Sequence, residues 1–436
     1  MQNMTLPTRL ISADSSSLPC DGLRSFRVNG KEERRERVLD LLSAEGFRFE
    51  PEPFSPAAFR LREEPFPLGR SLAAFFGLIY IQDRSSMLPP LLLAPREGDA
   101  VLDMCASPGS KTGFLSQLVG GSGFILGNEP NPVRLGTLRA NLSVQNFLQA
   151  STCRFQGQEL PVPAGRFSCI LLDPPCSGWG TAEKNPQVMK LWKGDKTKTL
   201  VGLQRALLAH AAKLLAPGGS LVYSTCTTHT AENGEQAAWA LAELPLVSTP
   251  LSALPGFDGA VSVEQGAISV DPGLGAGQGF FVAKFSKLPE AAEEVAAEET
   301  DFPAGFELVP RSALDGDCVD SGLLPPGELV EFRGNVMFAP KAQLNLLPSK
   351  INAQGCFVGK LSGGSVLPLP RLWALMRCPP EAPALNVEDV SPIKKLLSGQ
   401  SMNVDFPGKS WAGLYYKGLP LALLRVKGGR AIWTER

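Results

Sequence analysis

Between residues 96 and 287 the chain alternates short apolar runs with stretches of helical periodicity, and this alternation limits the fold more than any other feature. The runs DAVLDMCA (99–106), GFILGNEP (123–130), CRFQ (153–156), FSCILLDPP (167–175), SLVYSTC (220–226) and GFFVAKFS (279–286) are predicted strands. KTGFLSQLV, VRLGTLRANLSVQ and TLVGLQRALLAHAAKLL are predicted helices, the last stopped by APGG. A strand apolar on both faces must be covered on both faces, and strands separated by helices form crossover units. The segment is therefore expected to be α/β, a doubly wound and mainly parallel sheet. Ligands of such sheets bind outside the carboxyl ends of the strands. Asp103, Glu129, Asp173, Cys176 and Cys226 all end or follow these runs, so one rim of the sheet is expected to carry them together.

With 436 residues the chain has room for two or three domains. Residues 1–23 are polar and Ser-rich, a disordered start by composition. Residues 24–95 read as a small α+β module, with a strand in LRSFRVNG and a charged helix in KEERRERVLDLLSAEG. An acidic linker spans 288–301, and residues 302–436 form a separate, Gly/Pro-rich, β-leaning region with short strands such as CFVGKL, LYYKGLP and LALLRVK. The net charge of -1 hides an asymmetry: residues 287–310 hold one Lys against seven acids, whereas residues 333–436 hold fourteen Lys and Arg against five acids. A basic module behind an acidic linker is the arrangement expected of a phosphate-contacting partner surface. The longest apolar run, LAAFFGLIYI (72–81), is well short of the roughly 20 residues of a spanning helix, and the first residues lack a signal-peptide pattern. Nine cysteines form no CxxC pair and no Cys/His cluster, which argues against disulfides and metal. The reading is a cytoplasmic monomer with no metal and no membrane partner.

DMCASPGSKT runs from a strand through small residues into a helix. Ala106, Ser107 and Gly109 allow close approach of a ligand to the backbone, Pro108 stiffens the turn, and the helix start offers free N–H groups. The stretch is neither a P-loop nor GxGxxG, so a dinucleotide is disfavoured and a nucleoside bearing a carboxylate, such as S-adenosylmethionine, is preferred. Glu129, 26 residues after Asp103, is placed to accept from ribose hydroxyls. Cys153 and Cys169 sit inside strand patterns and read as small hydrophobes. Cys176 and Cys226 sit at the rim near Lys111, a setting that favours thiolate. A thiolate and a methyl donor suit one reaction in particular. Carbon 5 of a pyrimidine becomes nucleophilic once a thiolate has added at carbon 6, and the scheme needs a group at the ring-nitrogen edge, for which Asp173 is suited, and a base for the carbon 5 proton.

DMCASPGSKT, LLDPPCSGWGT and LVYSTCT resemble the three hallmark motifs of the NOL1/NOP2/Sun RNA cytosine-5 methyltransferases, and LIYIQDRSSMLPP and GFFVAKF add to the likeness. The resemblance covers residues 24–287 specifically; residues 302–436 resemble, weakly, a PUA-type RNA-binding module. It implies a Rossmann-like methyltransferase domain, S-adenosylmethionine as cofactor and RNA as partner, with small-subunit rRNA as the first expectation and tRNA as an alternative. It implies Cys226 as nucleophile, Cys176 as the residue assisting product release, Asp173 at the cytosine edge and the cofactor, and Lys111 lining the target pocket. The cofactor would be held by Cys105, Ala106, Ser107, Pro108, Gly109, Ser110, Lys111, Glu129, Arg134 and Asp173. Two positions depart from the family pattern: Pro174 stands where Ala is usual, and Gln156 where an Asp commonly meets the adenine amine, so Gln156 is expected to bind the cofactor through its side-chain carbonyl instead.

Two other readings remain. DPPC is one residue from the DPPY loop of N-methyltransferases, which need no thiol; the second cysteine in STC favours carbon methylation. A non-catalytic RNA-binding assembly factor would not need intact Asp173, Cys176 and Cys226. A thiol hydrolase is disfavoured, because the only histidines are His210, in a helical pattern, and His229, in a loop.

Overall fold

The computed structural model describes residues 18–19, 24–182, 187–188, 196–257, 261–264, 266–271, 277–289, 305–348, 350–378, 380, 383–406, 408 and 410–435. The polar start, apart from Leu18–Pro19, and the acidic stretch 290–301 lie outside the described residues.

The central unit is a sheet of β1 (Ala100–Asp103), β2 (Phe124–Asn128), β3 (Ala150–Cys153), β4 (Phe167–Leu172), β5 (Leu215–Thr225), β6 (Leu246–Ser248), β7 (Val261–Glu264), β8 (Ala267–Val270) and β9 (Phe280–Lys287). Its order is β7-β8-β9-β5-β4-β1-β2-β3, with β6 also pairing β9. β1 to β5 are mutually parallel, while β6 to β9 join antiparallel. The helices are α1 (Ser110–Val119), α2 (Pro132–Val144), α3 (Lys196–Leu214) and α4 (Gly234–Glu243). Val101, Ile125, Leu171 and Val222 point to one face, where α1, α2 and a further helix Arg84–Leu93 pack through Phe114, Leu138 and Met87. Leu102, Leu126, Ile170 and Tyr223 point to the other, under Leu208 and Ala211 of α3 and Ala240 of α4. Both faces are thus covered, which is why the parallel strands read as unbroken apolar runs.

The alternating run of strands and helices is as expected, with two differences. CRFQ is not the third strand: β3 ends at Cys153, and the following residues are pinned instead by Asn128, whose Oδ1 accepts from the Phe155 N–H at 3.0 Å. The weakly patterned residues 246–270 contribute three antiparallel strands, so the sheet is parallel only in its first half. APGG does stop α3, but within the irregular start of β5.

Before this unit, Ser25–Val28 lies in a five-stranded antiparallel sheet with Leu18–Pro19, Arg48–Pro51, Ala58–Glu64 and Ile79–Ile81, backed by the helix Glu32–Ala44. Buried Arg27 joins it to the central unit, its guanidinium reaching Gln117 of α1 and lying 5.1 Å from the Phe114 ring. After the unit come two five-stranded sheets, Glu307–Val309 through Ser365–Pro368 and Ala384–Val387 through Arg430–Ile432. This C-terminal region is not separate as expected. Its apolar residues, among them Trp373, Tyr416 and Leu421, form one core with Phe26, Leu41 and Phe76 of the N-terminal module. Trp373 Nε1 donates to the Phe76 carbonyl at 2.7 Å, and Lys417 Nζ meets Asp40 at 2.9 Å. Two small sheets that each expose an apolar face gain most by covering each other.

Candidate active site

The turn from β1 into α1 carries Cys105, Ala106, Ser107, Pro108 and Gly109, and Ser110 opens the helix. Gly109, with φ of 104°, occupies the left-handed region, and a Cβ there would lie 3.1 Å from Leu138 Cδ1; the turn therefore needs glycine. The turn is anchored from α2: Arg134 donates to the Ser107 carbonyl at 3.0 Å, Ser107 Oγ donates to the Arg134 carbonyl at 2.9 Å, and Asn141 Nδ2 reaches the Pro108 carbonyl at 2.8 Å. Arg134 also lies 3.4 Å from Glu129, which is 2% exposed just beyond β2. Loop, arginine and carboxylate thus form one connected edge, with the N–H groups of the α1 start behind it. Burial pushes the Asp103 carboxyl, at the end of β1, up to about 7, and likewise raises the Cys105 thiol. Thr112 Oγ1 donates to Asp103 at 2.7 Å.

Asp173 follows β4 and is held at both oxygens. Lys111 Nζ meets Oδ2 at 2.6 Å, and Ser224 Oγ donates to Oδ1 at 2.8 Å. Lys111 is mostly buried, with its ammonium 5.5 Å from the Phe280 ring centre. Burial alone would lower its pKa, but the Asp173 carboxylate outweighs that and the net shift is upward, so the ammonium persists.

The two thiols meet here. Cys176 Sγ and Cys226 Sγ are 3.3 Å apart, and both cysteines are free and partly exposed. The hydrogen bond from Cys176 holds the Cys226 thiol below its ordinary value and Lys111 adds to this, against burial and Asp173. Donating to Cys226 and being buried push Cys176 well up. The pair is therefore unequal: of the two thiols Cys226 gives up its proton the more readily, and Cys176 is the one left to donate. Burial pushes Cys153 and Cys169 up to about 12, as befits small hydrophobes in strands. His210 is held by the Leu160 carbonyl at 2.9 Å, and the ring of His229 meets that of Trp179 edge-on, 4.9 Å away; neither contact is to a thiol.

The loops of the two thiols are also joined through backbone. Gly180 N donates to the Cys226 carbonyl at 3.1 Å and Gly279 N to the Gly180 carbonyl at 3.0 Å. Lys111, Asp173, Cys176 and Cys226 thus form one cluster, and Cys105–Lys111, Arg134 and Glu129 a second beside it, with Lys111 common to both. Gln156 stands exposed beyond β3, its own carbonyl accepting from Glu159 at 2.9 Å. Ser224, Gln204 and Glu232 were not picked out in the sequence. Ser224 sits two residues before Cys226 and could have been read from the same motif, whereas a buried carboxylate in a polar loop gives no local signal.

A family model described as 16S rRNA methyltransferase RsmB/F matches residues 90–286. The ribosomal RNA small subunit methyltransferase F of Cronobacter sakazakii is 37% identical over 305 residues, 68% of this chain and 63% of that relative. The chain thus spans less than two thirds of the length of that relative. The protein of the same description from Shewanella baltica is 29% identical over 462 residues, 98% of this chain and 92% of its own. A crystal structure of a methyltransferase homolog from Pyrococcus horikoshii is similar with a TM-score of 0.54 and 34% identity, over 62% of this chain and 88% of that one. By its motifs, its fold and these relatives, the chain belongs to the RsmB/F family of methyltransferases.

Proposed function

We propose that the protein methylates carbon 5 of a cytosine in RNA, with small-subunit rRNA as substrate, through a covalent bond between Cys226 and carbon 6. The observation that carries this reading is the close thiol pair beside Lys111 and Asp173, since an N-methyltransferase has no use for it. The names of the Cronobacter and Shewanella relatives support rRNA as the substrate class.

The second cluster fits S-adenosylmethionine by its donor set. A helix start supplies N–H groups for a carboxylate, small residues from Cys105 to Ser110 permit close approach, and Glu129 offers an acceptor for ribose hydroxyls. Gln156, in the loop beyond β3, offers an amide oxygen to the adenine amine, and Asp173 borders the cofactor as well as the base. When bound, the cofactor supplies an electrophilic methyl group.

On the protein side, the Cys226 thiolate adds to carbon 6, forming the S–C6 bond as the C5=C6 electron pair moves onto carbon 5. Asp173, oriented by Lys111 and Ser224, accepts from the cytosine amine at the ring-nitrogen edge and holds the base in place for the attack. After methylation the carbon 5 proton passes to a base, the double bond reforms, and Cys226 leaves as thiolate. Cys176 assists that departure by donating to the leaving sulfur across the short contact the two thiols share in the free protein. The test is to incubate the protein with labelled S-adenosylmethionine and small-subunit rRNA, free or in subunits, and separately with tRNA, then to identify the modified nucleoside. 5-Methylcytidine in rRNA is expected; an N-methylated base would refute carbon methylation, and 5-methylcytidine only in tRNA would refute the substrate.

A further inference from the structure

Glu232 lies in the turn after Cys226, and its side chain is fully buried. Its Oε2 accepts from the Ser177 N–H at 2.9 Å and from Gln204 Nε2 at 3.0 Å. Gln204, on α3, also donates to the Pro175 carbonyl at 3.0 Å. Pro175 and Ser177 flank Cys176, so one carboxylate–amide couple holds the backbone on both sides of that thiol. Glu232 is fixed in turn from the Cys226 side. Tyr223, at the end of β5, donates its hydroxyl to the Glu232 carbonyl at 2.6 Å, and Asn233 Nδ2 donates to the Thr227 carbonyl at 2.9 Å. A buried carboxylate is costly unless donors meet it. Only half of this one is met: Oε1 has no hydrogen-bond partner among the described residues and lies 3.9 Å from His229 Nδ1, itself unpartnered.

We propose that Glu232 is a positioning residue: by clamping both flanks of Cys176 to the chain that follows Cys226, it sets the separation of the two thiols. Neither thiol touches Glu232, so it acts through backbone placement alone. The idea rests on the proposed function only for the roles given to the thiols, and its test needs neither RNA nor cofactor.

Iodoacetamide labelling of Cys226, quantified by mass spectrometry across pH, reads its thiolate directly. The other groups acting on that thiol, Cys176, Lys111 and Asp173, are left unmutated in every variant. In Glu232→Ala, loss of the hydrogen bond from Cys176 should raise the pH of half-maximal labelling by about half a unit or more. Glu232→Gln, whose carbonyl can accept both bonds, should label like the wild type. Gln204→Met removes the amide donors, keeps Glu232 and should shift labelling in the same direction, which covers the case in which Glu232→Ala does not fold. Unshifted labelling in folded Glu232→Ala or Gln204→Met overturns the proposal. So does Glu232→Gln behaving like Glu232→Ala, because charge and not position would then be at work. The shifts appearing in a protein that methylates no RNA would uphold the positioning role and remove the proposed function.

Discussion

Asp103 shows how a single buried group constrains the site. It sits at the end of the first parallel strand, burial raises its pKa from 3.8 to about 7, and the protonated form is the one that folding favours. The native state therefore binds its proton more tightly than the unfolded chain. The contribution to stability is full below the unfolded value and is lost as pH rises through about 7. Asp103→Asn keeps an acceptor for Thr112 and has no charge to bury. The thermal midpoint of the wild type should thus fall relative to that of Asp103→Asn between about pH 4 and about pH 8, by an amount worth at most a few kcal/mol. Parallel curves would show that Asp103 is ionised without penalty. Such a shift was not legible in DMCA, because it depends on the layers packed over the strand end. Cys176 and Cys226 could be singled out because rim position and motif are local features, whereas their asymmetry comes first from the hydrogen bond between the two thiols and then from Lys111, contacts that exist only once the fold closes.

The elements supply the precision the thiols need. Cys226 continues from β5 and Cys176 from the turn after β4, two neighbouring parallel strands, so the sheet register already brings their ends together. Gly180 locks the loops: a Cβ there would lie 2.1 Å from the Gly279 carbonyl oxygen and 2.9 Å from that of Cys226. Gly180→Ala must push these strands of backbone apart. It should cost about 1–3 kcal/mol in denaturant unfolding and lower methyl transfer by more than tenfold, with cofactor affinity nearly kept. Wild-type activity would mean that the loop contact does not set thiol geometry. The parallel half of the sheet could be read from unbroken apolar runs. The antiparallel half could not, since β6 to β8 are three or four residues each and two carry exposed valines.

In the whole molecule the N-terminal and C-terminal regions share one core, which the sequence concealed because packing between residues 297 to 377 apart leaves no local pattern. Twelve of the fourteen basic residues of 333–436 lie among the described residues and belong to a body braced against the N-terminal module, and removing the region would strip that core open. Charge reversal is the cleaner probe of RNA binding. Lys395, Lys427 and Arg430 are exposed. Reversing all three should leave the thermal midpoint within a few degrees, weaken rRNA binding at low salt and flatten its logarithmic dependence on salt. Each RNA phosphate that is no longer neutralised takes nearly one unit off that slope on duplex and less on single strands. An unchanged slope would place the RNA surface elsewhere.

The central claim is that Cys226 attacks and Cys176 releases. Cys226→Ala and Cys176→Ala should each be incubated with labelled rRNA and S-adenosylmethionine and run on a denaturing gel. Cys226→Ala should give no methylation and no protein–RNA adduct, since no S–C6 bond can form, while Cys176→Ala should accumulate a denaturation-resistant adduct because release is impaired. An adduct in Cys226→Ala but not in Cys176→Ala would contradict the assignment and reverse the two roles.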